Sequence, residues 1–278
     1  MMNGDEGMTT RKAPKVLAIA SGKGGVGKTM IASHLGAHAA RKGMKTLLLD
    51  ADLGLANIDV ALGLMSKGSM GDVLLGHASF DDVICQAQEN LDVLPGGSGL
   101  SELSNLDGQQ QLQLMGELEA LGHRYDLIVI DAGAGIGDNV LFFVSSAQAP
   151  IVVINPEPTS LTDAYALIKT LSLKRGMKHF MVLMNQADEI SAQLVYKRLE
   201  AVTDRYLNVS LDYVGAIPRD EVVLRYIRSQ QLIPATSEFS KRLGVTYDKI
   251  LNRPIEKWNR GGMQLFWERS LQQGLDEA

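Results

Sequence analysis

Val16-Leu17-Ala18-Ile19-Ala20-Ser21-Gly22-Lys23-Gly24-Gly25-Val26-Gly27-Lys28-Thr29 is the stretch on which the fold turns. A five-residue apolar run has the length and composition of a buried strand. After Lys28 the apolar period changes, because Ile31, Leu35 and Ala39 recur every four positions and Gly43 stands where a helix stops. Between the two lies a turn in which glycines let backbone N–H groups point inward around a phosphate, and the helix that follows adds its positive end. Lys28 is placed to reach the β- and γ-phosphates, and the Thr29 hydroxyl to ligate Mg²⁺. Strand before and helix after separate this phosphate loop from a chance glycine-rich turn.

Outward from the loop, further short apolar runs follow at Thr46–Leu49, Leu91–Leu94, Leu127–Ile130, Ile151–Ile154, Met181–Met184 and Tyr213–Ile217. Continuous runs of this kind suit strands buried on both faces of a parallel sheet. Helical patterns separate them, such as Ala164, Leu167, Ile168 and Leu171. The alternation predicts one doubly wound α/β domain over residues 15–252, a mostly parallel sheet with helices on both faces. Residues 1–14 show no apolar period and are expected to form a flexible tail. No run approaches a membrane span. Two strands end in acids, where open α/β sheets place their ligands. Asp50 and Asp52 follow the Thr46–Leu49 run, and Asp131 follows Leu127–Ile130 before the glycines Gly133, Gly135 and Gly137.

Composition narrows the function classes. The 278 residues carry 27 basic and 32 acidic side chains, a net charge of −5, and the isoelectric point is near 5.6. Net charge thus lends no help to nonspecific nucleic-acid binding. The one cysteine, Cys85, excludes an internal disulfide or a Cys-ligated cluster within the chain and fits a reducing cytoplasm. It reads as a small packing residue. His34 and His38 stand at i and i+4 with no third ligand in view, and an exposed helix face is the expected setting for them. Gln109–Gln113 reads as the solvated face of a helix.

Lys23, a second lysine inside the loop, goes beyond what phosphate binding needs. With it the loop resembles that of the deviant Walker A ATPases, the MinD/ParA-like group. The resemblance implies ATP and Mg²⁺ as cofactors and a homodimer formed with ATP, in which Lys23 contacts the nucleotide of the opposite subunit. It implies that Asp52 orients or deprotonates the attacking water, that Asp131 lies near Mg²⁺, and that Asp50 supports it. Nucleotide contacts are implied for Gly22, Lys23, Gly24, Gly25, Val26, Gly27, Lys28, Thr29, Met30, Glu157, Asn185, Pro218, Arg219 and Asp220, with Asn185 at the adenine edge.

Asp50-Ala51-Asp52-Leu53-Gly54-Leu55-Ala56-Asn57, Ala134-Gly135-Ile136-Gly137-Asp138 and the Glu157–Lys169 segment resemble the FlhG/FleN branch, regulators of flagellar number. That likeness implies a cytoplasmic ATPase switch acting on partner proteins: a FleQ-like flagellar transcription activator, the FlhF GTPase or flagellar C-ring proteins. Residues 1–15 contain no Asp-Gln-Ala-x-x-Leu-Arg element, the feature with which many FlhG proteins stimulate FlhF. Met263, Phe266, Trp267 and Leu271 share one helical face in a C-terminal amphipathic region, 253–278. In relatives such a tail binds membrane when ATP-dimerised, which implies weak or transient recruitment to the inner membrane face or the cell pole. The alternative is a MinD- or ParA-type ATPase for division-site placement or DNA and cargo partition. That would call for a basic patch, and direct specific nucleic-acid binding is not expected. A nitrogenase-reductase-like protein fails on cysteine count.

Overall fold

A computed structural model describes residues 13–53, 57–97 and 106–253. The expected N-terminal tail up to residue 12, Gly54, Leu55 and Ala56, and the helix with Met263, Phe266, Trp267 and Leu271 lie outside the described residues. Eight strands run as β1 (Lys15–Ser21), β2 (Thr46–Ala51), β3 (Cys85–Gln88), β4 (Leu91–Leu94), β5 (Leu127–Ala134), β6 (Ala149–Ile154), β7 (His179–Asn185) and β8 (Ser210–Ile217). They form one sheet in the order β3-β4-β2-β5-β1-β6-β7-β8. Every neighbouring pair is parallel except β3 with β4.

The unbroken apolar run of β1 is explained by its place at the centre. Val16 and Ala18 join the core on one face, and Leu17 and Ile19 join the core on the other. The first face is covered by α5 (Gly108–Gly122), α6 (Asp138–Ser146), α7 (Pro158–Arg175) and α8 (Glu189–Tyr206), through Leu118, Phe143, Leu167 and Leu199. The second is covered by α1 (Lys28–Arg41) and α10 (Glu238–Leu251), through Ile31, Leu35, Leu243 and Tyr247. Short helices α2 (Ile58–Ala61), α3 (Met70–Leu74), α4 (Phe80–Val83) and α9 (Glu221–Arg228) fill the connections. Their caps are local: the Ser69 hydroxyl accepts from Asp72 N while Asp72 accepts from Ser69 N, and Asp220 accepts from Val222 N.

Two expectations need correction. Strand β3 was absent from the apolar runs, because Cys85-Gln86-Ala87-Gln88 is a half-buried edge segment that returns antiparallel after Asn90 takes φ 61°. The α1 histidines do not sit on an exposed face. His34 is 2% exposed; its Nδ1 lies 2.8 Å from Met30 O, and its Nε2 accepts from Ile233 N at 2.8 Å. His38 lies against Gly244 and meets the Tyr247 ring edge-on at 5.1 Å. Both are covered because α10 and the segment before it lie across α1, where the Lys42–Asp248 ion pair adds a surface tie.

Candidate nucleotide site

The loop is built by close approach. Gly22 leaves β1 directly against α7, where a Cβ would collide with the backbone of Asp163. Gly25 and Gly27 take φ 80° and 94°, conformations that glycine adopts without strain. Beneath the loop Asn185, the last residue of β7, donates from Nδ2 to Val26 O at 2.7 Å, and a Cβ on Gly27 would strike that same amide. Asn185 thus serves the loop's shape in this structure. Lys23 reaches sideways to an ion pair with Glu157, and its ammonium also donates to Thr159 Oγ1 at 3.1 Å. Glu157 occupies the N-cap position of α7 without capping it. The Lys23 ammonium and the Asn155 side chain hold its carboxyl below the usual range.

Parallel register sets the acids side by side, since Asp50 of β2 pairs with Asp131 of β5. Burial pushes both carboxyls up. The Asp50 charge raises Asp131 further, against the Thr29 hydroxyl and the Lys28 ammonium, which favour its ionised form. Lys28 is in turn lowered by burial and raised by Asp131 and Asp52. Asp131 Oδ1 is buried with no hydrogen-bond partner. An unsatisfied buried oxygen beside a hydroxyl and a like charge is a setting that a hard cation with oxygen ligands relieves. Asp50, grouped with the metal residues by the sequence, also has a structural task. Its oxygens accept from Asp52 N at 3.1 Å, Asn57 N at 2.8 Å and Ile58 N at 3.0 Å, folding the loop after β2 and starting α2. Asp52 comes out of that loop half-buried and next to Gly133 of β5. No cluster of three His, Cys, Asp or Glu side chains suited to a metal occurs among the described residues. A magnesium ion held by one or two protein oxygens and phosphates needs none.

From Gly25, Gly27, Lys28 and Thr29 a cavity of about 260 Å³ opens along α1. Met30, Ser33 and His34 form its floor, Ala61 and Leu62 one wall, Ile227 and Gln231 the other. Pro218, Arg219 and Asp220 are not among its lining residues; they connect β8 to α9, where Asp220 caps the helix. Ser33, Ala61, Leu62, Ile227 and Gln231 were missed from sequence. Only Ser33 carried a signal, being one helical turn beyond Thr29.

A family model described as an AAA domain matches residues 14–184, from just before β1 to the penultimate residue of β7. Antiactivator FleN of Pseudomonas aeruginosa is 38% identical over 93% of this chain and 94% of its own length. The chain is a MinD/ParA-like ATPase of the FleN group. Flagellum site-determining protein YlxH of Helicobacter pylori resembles this ATPase at 32% identity over 90% of this chain and 85% of its own. Among solved structures, MinD of Pyrococcus horikoshii complexed with Mg-ADP superposes on the ATPase with a TM-score of 0.69 at 26% identity, covering 86% of this chain and 96% of that one. MinD in a MinC:MinD complex from Aquifex aeolicus gives 0.70 at 26%, over 86% and 97%. The family uses nucleotide and Mg²⁺ to hydrolyse ATP.

Proposed function

We propose that this ATPase is a nucleotide-switched regulator of flagellar number and flagellar gene expression, acting as an ATP-bound homodimer on a flagellar transcription activator. The observation that carries the reading is its likeness to the antiactivator FleN across nearly the full length of both chains.

The site's residues have the chemistry for such a switch. Lys28 would hold the β- and γ-phosphates within the inward-turned backbone of Gly24–Thr29. Thr29 and Asp131 would hold Mg²⁺, which neutralises charge on the phosphate oxygens as the terminal phosphoryl group is transferred to water. Asp52 would orient that water and take its proton, leaving ADP and phosphate. Lys23 would let go of Glu157 and cross to the nucleotide of a second copy, a fixed cation for the charge that develops there. Supporting this assignment are the orphaned Asp131 oxygen and the place of Asp52 against Gly133. The described helices contain none long and apolar enough to cross a membrane, so recruitment to a membrane or pole would rest on the 253–278 segment.

The test is retention of a purified flagellar transcription activator on immobilised Asp52→Ala protein, with ATP and with ADP. Retention in ATP alone supports the reading. Equal retention in both nucleotides, or none in either, rejects the nucleotide switch.

A further inference from the structure

Asn185 ends a strand two places away from the phosphate loop's own, yet its side chain serves the loop. In the sheet β7 neighbours β6, and β6 neighbours β1. Asn185 is buried, and its Nδ2 donates to Val26 O at 2.7 Å, a bond between residues 159 positions apart. A Cβ on Gly27 would collide with the same nitrogen, so the amide is packed against the loop as well as bonded to it. Directly after it, Gln186 takes φ 57°, a left-handed conformation that a residue with a Cβ adopts at a cost. Strain of this kind persists where the surroundings over-determine it, and here it stands at the residue that follows the amide.

What the bond does follows from peptide geometry. The peptide joining Val26 to Gly27 is trans, so its C=O and N–H point in opposite directions. Holding the carbonyl down on Asn185 therefore turns the Gly27 N–H away from the loop's underside. A phosphate needs N–H groups turned toward it and carbonyl oxygens turned away, because the oxygen end of a carbonyl dipole repels an anion. Gly27, at φ 94°, carries the chain from this peptide straight into α1, whose positive end adds to the same field.

We propose that Asn185 is a positioning residue for nucleotide binding, which fixes the Val26–Gly27 peptide so that the Gly27 N–H faces the phosphates whatever base the nucleotide carries. The inference rests on the reading of Gly22–Thr29 as the phosphate site. It assigns the amide to the loop, where resemblance to the family implied the adenine edge.

The experiment is calorimetric titration of wild type, Asn185→Ala and Asn185→Leu with ATP and, separately, with inorganic triphosphate, each with Mg²⁺. NMR of glycine-labelled protein follows the Gly27 amide, and thermal unfolding of each ligand-free protein accompanies the titrations. Leucine keeps the volume of the amide and alanine removes it, so one folded variant is enough. Loss of an N–H aimed at a charged group predicts both ligands weakened by the same factor, about ten- to a hundredfold. The Gly27 amide signal should shift on binding in wild type and shift less in the variants. A Gly27 signal that does not respond in wild type overturns the proposal outright. ATP weakened with triphosphate unchanged also overturns it, because the amide would then act at the base. Unchanged affinity for both ligands overturns it, as does a full Gly27 shift in variants that are merely less stable. If wild type binds ATP but not triphosphate, the Gly27 response to ATP decides alone by the same criteria. Wild type that binds neither ligand overturns the phosphate-loop reading, and the Asn185 proposal with it.

Discussion

Lys28 is half-buried, Asp131 and Asp52 favour its charged form against burial, and the proposed phosphate loop makes its ammonium the charge for the phosphates. Lys28→Ala should weaken ATP binding by ~10²-fold or more, the scale of one buried charge-assisted contact. Equilibrium titration checks it, and wild-type affinity would remove the lysine from the site. His34 behaves differently, through stability. Burial, aided by Arg41, lowers its pKa to about 4 from 6.5, with the Met30 carbonyl opposing. The unfolded chain then binds the proton better than the folded one between those values, so stability falls as pH drops from 6.5 toward 4. From pH 7.5 to pH 5 the loss traceable to His34 is about 2 kcal/mol. Asp50 and Asp131, both raised, act in the opposite direction, which is why the comparison must be made against a variant. Urea unfolding of wild type and His34→Gln at both pH values should show the wild type losing more. Parallel losses would place the imidazole's titration elsewhere.

Elements whose residues explain themselves locally were legible in the sequence. The run Leu91–Leu94 is the strand β4 residue for residue, and Gly43 follows α1 at φ 83°. The acids were read as closing the runs Thr46–Leu49 and Leu127–Ile130, but the strands carry on past Asp50 and Asp131 to Ala51 and Ala134, so only Asp52 follows its strand. What escaped depends on distant partners. Edge strand β3 has few apolar residues because one side has no neighbour to pack on. The burial of His34 depends on Ile233, 199 positions away, and the cavity walls come from α2 and α9. Glycine at 22 was legible as loop chemistry, yet its sharper constraint comes from α7. Gly22→Ala drives a methyl into the Asp163 backbone, which cannot swing aside as a side chain can. The expected result is a loss of about 1–3 kcal/mol in stability, together with impaired nucleotide binding as the loop is pushed off α7. Thermal unfolding and ATP titration measure the two effects. A variant indistinguishable from wild type in both would show that the approach of loop to helix relaxes freely.

At the scale of the whole molecule, the switch should be visible as mass. Asp52→Ala should still bind ATP but hydrolyse it ~10²- to 10⁴-fold more slowly, the usual contribution of a positioned base. With ATP and Mg²⁺ the variant should accumulate as a dimer in size-exclusion chromatography with light scattering, and return to monomer in ADP. A monomer with normal turnover would dismiss Asp52 as the base. Lys23→Ala should bind ATP yet fail to accumulate as dimer, because the cation that crosses to the second copy is gone.

The bond from Ile233 N to His34 also has a consequence in time. A chain leaves the ribosome N-terminus first, so the entire phosphate loop, both acids and all eight strands of the sheet are made before residue 233. Until then the outer face of α1 lacks Ile233, Phe239, Leu243 and Tyr247, the side chains that cover it. One wall of the cavity, Ile227 and Gln231, is equally late. A nascent or prematurely ended chain therefore carries every charged group needed to grip a triphosphate on a helix that is still uncovered. If that cover is needed for binding, a chain ended before Ile227 should bind ATP more weakly than the whole protein, which titration of a truncated chain checks.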